Sequence, residues 1–120
     1  VTTFNRMTQH PTRDQPYFGI AIFELGKNDG VGCFYREDCY LIWAGDPAEA
    51  QSKFERKAGE QEYPLGASDD QSYVKLAHLV DLAPVSDAVH TGTADLYSRH
   101  FSNIAAYRTF ETLLGGDSIL

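Results

Sequence analysis

The chain is poor in sulfur and has no long apolar run. It holds two cysteines and one methionine in 120 residues, and nowhere the ~20 consecutive apolar residues that a membrane-crossing helix needs. Its first residues, Val1-Thr2-Thr3-Phe4-Asn5-Arg6, lack the apolar core of a secretory signal. A soluble, cytoplasmic protein is the expectation. Cys33 and Cys39 are too few for a disulfide framework, and neither CxxC spacing nor neighbouring histidines point to zinc. A bridge between them requires that they face each other across a hairpin; two reduced, partly buried thiols are expected instead.

Basic charge is also scarce. Ten basic side chains against 17 acidic ones leave a formal net charge of −7, which repels a phosphate backbone and argues against direct nucleic-acid binding. The same charge serves solubility, or forms an acidic face for a basic partner. Catalytic and metal signatures are missing as well. There is no GxSxG elbow, and GKNDGVG at 26–32 has neither GxGxxG nor a GK[ST] ending. His10, His78, His90 and His100 contain no HxH and no i, i+4 pair. Neither a cofactor nor a metal is expected.

What is present is a globular composition, with 42% hydrophobic residues, sufficient for one core in a single domain. Residues 1–16, with Pro11 and Pro16 among polar side chains, read as an irregular arm, and residues 17–120 as one domain. Residues 17–25 are apolar on both alternating faces, the pattern of a central strand. Residues 32–35 read as a short continuation, a turn follows at Arg36-Glu37-Asp38, and residues 40–44 form the second strand. The passage into residues 47–59 is the most specific local signal. Asp46 is placed to N-cap, Pro47 to occupy the first helical position, Glu49 to complete a capping box, and Gly59 to stop the helix. Ala50, Phe54 and Ala58 make its apolar stripe, with Glu49 and Lys53 pairing outside.

After a loop over residues 60–70, alternation predicts a third strand ending at Pro84, with Val74, Leu76, His78, Val80 and Leu82 on one face. Residues 94–101 predict a fourth strand. A last helix, capped by Ser102, buries Ile104, Tyr107, Phe110 and Leu114 before Gly115-Gly116. The order β-β-α-β-β-α predicts an α+β two-layer sandwich, a mainly antiparallel sheet of about four strands with two helices.

Three stretches carry a family resemblance: Tyr17-Phe18-Gly19-Ile20-Ala21-Ile22-Phe23, Leu41-Ile42-Trp43-Ala44-Gly45-Asp46-Pro47-Ala48-Glu49-Ala50, and Ala94-Asp95-Leu96-Tyr97-Ser98-Arg99. Together they resemble a small bacterial family known only as a domain of unknown function. The resemblance implies a bacterial cytoplasmic α+β domain and brings no activity or catalytic residue with it.

Three functional readings follow. The first is a small acidic protein-binding domain, for instance an immunity-type inhibitor of a basic toxin or nuclease, with contacts from Tyr35, Glu37 and Asp38 and from the acids Glu60, Glu62, Asp69 and Asp70. The second is a homo-oligomeric structural or accessory domain. The third is a small-molecule-binding protein or enzyme built on His78, Asp95, Tyr97, Arg99 and His100, in which the guanidinium fork takes a carboxylate or phosphate. No catalytic constellation supports an enzyme.

Overall fold

The structure of the chain, a computed structural model, describes residues 14–28, 32–67, 71–87 and 89–117. Its body consists of strand β1 (Gln15–Lys27), strand β2 (Cys33–Ala44), helix α1 (Pro47–Gly59) and strand β3 (Ser72–Pro84). The three strands form one antiparallel sheet in the order β2-β1-β3. A short helix α2 (Ile104–Phe110) and a 3-10 turn (Thr112–Leu114) follow. The α+β class is as expected, with three strands rather than four. Of the expected N-terminal arm, residues 1–13 lie outside the described residues, while Gln15 and Pro16 belong to β1.

β1 is central because both of its faces find cover. Tyr17, Ala21 and Phe23 face α1 and are buried, and Ile20, on the other face, is buried too. α1 is set down by the capping chemistry read from the sequence. The Glu49 N–H donates to Asp46 Oδ1 at 2.8 Å, and the Glu49 carboxylate accepts from the Gly45 N–H at 2.6 Å. That second bond lowers the Glu49 pKa, and the Lys53 ammonium 3.4 Å away adds to it. Ala50, Phe54 and Ala58 are buried against the sheet. The helix ends after Gly59 through a right-handed Glu60 at φ −63°, so the glycine is not used as a left-handed cap.

β3 departs from simple alternation. Two register shifts leave Ala77 and Val80 without a partner on β1, as in bulges that place two residues opposite one. The helix-facing set becomes Val74, Leu76, Leu79 and Leu82. His78 is thereby moved from the expected apolar face to the exposed open face, opposite Ile22.

β2 is continuous where a turn was expected at 36–38. Charge is accommodated there because Arg36 and Asp38 share one face and pair at 2.9 Å, and the Arg36 guanidinium lies 5.1 Å from the Phe23 ring centroid. Phe34 and Tyr35 are therefore the second and third residues of one continuous strand, paired with Leu25 and Glu24. Cys33 and Cys39 lie six residues apart on this one strand, a span of roughly 20 Å that no disulfide bridges. Both thiols are exposed rather than partly buried.

Residues 94–101 form no strand and pair with none among the described residues. β1 is already paired on both sides, so the segment lies across its open face instead. Tyr97 stacks on Phe18 with centroids 5.1 Å apart, and its hydroxyl donates to Asp81 Oδ2 at 2.5 Å. Asn103, not Ser102, caps α2 by accepting from the Ala106 N–H at 3.1 Å. The helix lasts seven residues and none of them is buried, so the expected stripe of Ile104, Tyr107, Phe110 and Leu114 is exposed. Gly115, at φ +104°, ends the segment in the left-handed conformation that glycine adopts without strain.

Two tyrosines, Tyr73 bonded across strands and Tyr40 bonded to Asp38 on its own strand, make the fold sensitive to alkali. The Tyr73 hydroxyl donates to Glu24 across the open face, and this bond first, then desolvation, pushes its pKa up to about 12. Tyr40 is raised to about 12 mainly by burial, with Asp38 adding to the effect. Both folded values lie above the ordinary value of 10.0. Each contribution is therefore complete below pH 10 and is lost as pH rises through about 12. Urea midpoints should fall across that window in the wild-type chain and fall less steeply in Tyr73→Phe and Tyr40→Phe. Identical slopes in all three chains would remove the tyrosines from the account.

Candidate functional site

The two sheet edges differ in how their backbone groups are satisfied. Pro16, which has no N–H, sits opposite Trp43, and its carbonyl accepts from Val85 on the β3 side. Even-numbered residues of β1 thus bond towards β3 and odd-numbered ones towards β2. By antiparallel alternation, even-numbered residues of β2 point to β1, and odd-numbered ones turn their N–H and C=O outward. The Trp43 carbonyl is indeed taken from outside, by Lys53 Nζ at 2.7 Å. Among the described residues, the outward groups of Tyr35, Glu37, Cys39 and Leu41 have no hydrogen-bond partner.

The β3 edge is closed over much of its length. Tyr63 exchanges two backbone hydrogen bonds with Val74, the Glu62 carboxylate accepts from the Leu76 N–H, and Asp81 accepts from the Leu82 N–H. With its two bulges, this is a blunted edge. Beside the free β2 edge runs a cleft of about 480 Å³ between residues 39–43 and α1. Lys53, Arg56 and Lys57 reach it from one side of the helix against the single acid Glu60, giving a locally basic lining in an acidic protein.

The open face carries a second cluster. The Arg99 guanidinium lies 5.9 Å from the Tyr97 ring centroid, and its pKa is raised by the Tyr97 hydroxyl first and by the charges of Glu37 and Asp81. A cleft of about 320 Å³ passes Asp81, Asp95, Tyr97 and Ser98. Its acids oppose the binding of an anion. The Cys39 thiol, on the same face and exposed, has its pKa raised by slight desolvation where its neighbours crowd it and then by Glu37 and Asp38, which favours the less reactive thiol form.

Residues 17–98 match the family described as a domain of unknown function, DUF4288. The chain belongs to this family. No curated protein and no solved structure gives a significant match. The DUF4288 match takes in the sheet from Tyr17 onward, α1 and the crossing segment as far as Ser98. Arg99 and α2 lie beyond it.

Within this DUF4288 chain the expected contact residues fall in several places. Tyr35 and Glu37 are exposed on the open face of β2. Asp38 is on the helix face, held by Arg36 and by the Tyr40 hydroxyl. Glu60 ends α1 and lies 3.9 Å from Lys57, and Glu62 is bound to the β3 backbone. Asp69 and Asp70 lie outside the described residues. Of the ligand set, Tyr97 and Arg99 come together, with the Asp95 N–H donating to Asp87 behind them. His78 and His100 are exposed. Among the described residues no cluster of histidine, cysteine and acidic side chains is arranged to hold a metal, and no helix is long and apolar enough to cross a membrane.

Sequence reasoning missed Asp81, which joins the crossing segment to β3, and the cations of α1 beside the edge. Lys53, Arg56 and Lys57, at helical spacings of three and four, were the signal for the second.

Proposed function

We propose that the chain is a protein-binding domain that takes up a strand of another polypeptide along the edge of β2. The observation that carries this reading is the run of unpaired outward backbone groups from Tyr35 to Leu41, on a strand of 12 residues, while the opposite edge is closed. Strand addition draws its affinity from such main-chain groups, and a flanking groove supplies side-chain selection. The finer version, an inhibitor of a basic toxin or nuclease, draws on the net charge of −7. The acids it would use are divided between two faces and a loop, so the edge carries the proposal rather than the charge.

Leu41→Pro tests it. The substitution removes an outward N–H without touching a bond to β1, a setting in which an edge strand tolerates proline. Leu41→Ser removes the side chain and keeps the N–H. Polypeptide captured by the wild-type chain should be retained by Leu41→Ser and lost with Leu41→Pro, and amide exchange at Glu37, Cys39 and Leu41 should slow in the complex. Equal capture by the proline variant would end the edge reading.

A further inference from the structure

We propose that the strand taken up at this edge is β2 of a second copy, and that each C-terminal arm, residues 101–114, lies on the open sheet face of its partner. The inference rests on the edge reading above and names its occupant.

The first argument is the arm itself. The crossing segment starts beside β3, where Asp95 and Tyr97 are tied to Asp87 and Asp81, and by Arg99 it feels Glu37 on β2. It is therefore heading across the sheet towards the free edge. Beyond it come Phe101, Ile104, Tyr107, Phe110, Leu113 and Leu114, with Phe110 76% and Leu113 89% exposed. A seven-residue helix does not hold itself together in water, because too few hydrogen bonds follow its nucleation. Packing must come from outside, and no residue of α2 is buried by its own chain.

The second argument is area. At ~200 Å² for a fully buried large side chain, the exposed fractions of those six residues amount to roughly 700 Å². That is close to the ~800 Å² per partner of a standard stable interface, before any strand pairing is counted.

The third argument is the receiving surface. On the face away from α1, Leu41 is 47% and Trp43 44% exposed, next to the free edge. Antiparallel pairing of two β2 edges about a two-fold axis joins the sheets into six strands. Each arm, leaving over its own β2 edge, then reaches the partner's Leu41 and Trp43. The contact is isologous, since the same edge and the same arm are used on both sides, and it closes at two copies. It also completes the satisfaction of the outward N–H and C=O groups that the monomer leaves to water.

Sedimentation equilibrium on the full chain, up to the highest concentration it tolerates, tests this. The wild-type chain should be a dimer. Leu41→Pro should be monomeric, and Phe110→Ser with Leu113→Ser should dissociate at least about tenfold more readily, since each lost side chain counts twice in a symmetric dimer. Those two positions are exposed, so the folded monomer survives their loss, as circular dichroism should confirm. A wild-type monomer at every concentration overturns the second copy as occupant and leaves the edge to the capture experiment. A dimer that persists in Leu41→Pro overturns the edge reading along with the proposal. A dimer sensitive to Leu41→Pro but indifferent to the arm variants overturns the exchange of arms.

Discussion

Phe54→Ala should cost about 3–5 kcal/mol of folding stability, the range for deleting a buried aromatic ring. Phe54 is the one large side chain that α1 buries; its neighbours in the stripe are Ala50 and Ala58. The ring is 1% exposed, meets Tyr40 edge-on at a centroid distance of 6.2 Å, and sits over the bare backbone of Gly19. Alanine at this position leaves a helix with only methyl groups against the sheet. Neither Gly19 nor the two alanines can extend into the void. Total stability in domains of this size is about 5–15 kcal/mol, so the loss takes roughly a fifth of it or more. Urea denaturation checks the figure directly. Phe54→Leu should lie well below alanine in cost, because most of the volume is kept. A cost for alanine under about 1 kcal/mol would mean that the helix is held by something other than this ring.

What was legible in the sequence was what is decided locally. Asp46, Pro47 and Glu49 set the start of α1 within four residues, and the stripe of Ala50, Phe54 and Ala58 follows from helical period alone. β1 was legible because a strand covered on both faces writes its burial into every residue. β3 was legible as a strand but not in phase. Its bulges at Ala77 and Val80 answer to β1 across the sheet, and nothing local to Leu76-Ala77-His78-Leu79 announces them. Residues 94–101 have a strand's alternation, yet alternation reports two environments, not a hydrogen-bonded neighbour. Tyr97 gets its apolar environment from Phe18, face to face, with no ladder.

The Arg36-Glu37-Asp38 run has the composition of a turn, three consecutive charges, without making one. In the structure Arg36 and Asp38, two apart and hence on one face, neutralise each other within the strand. The candidate site was harder to read for the same reason. Whether β2 is an edge depends on which strands flank β1, a property of topology. Composition gave only an acidic total, which concealed the basic lining beside that edge.

The counterpart of Phe54 is Gly19, and the expected result there reverses the usual sign. In the middle of a strand, replacing glycine by a residue with a side chain ordinarily helps, since glycine weakens strands by loss of entropy and of packing. At position 19 an added Cβ would stand 2.8, 3.0 and 3.2 Å from three atoms of the Phe54 ring. The ring is fully enclosed and has no open side to swing into, so the strand or the helix must move. Gly19→Ala should therefore destabilise by about 1–3 kcal/mol, and Gly19→Val by about 3 kcal/mol or more, since its second and third carbons reach further into the same space.

The test that isolates the mechanism is a double-mutant cycle. If the cost is the clash, Gly19→Ala combined with Phe54→Leu should be more stable than the two single changes predict by roughly 1–2 kcal/mol, the coupling expected of residues in direct contact. Simple additivity would locate the cost in the backbone of β1 instead. A recovered cycle would show that the distance between helix and sheet is fixed at one glycine and one ring. That spacing places Lys53, Arg56 and Lys57 beside the β2 edge, so a change at position 19 should weaken strand uptake as well as folding, although Gly19 lies on the central strand.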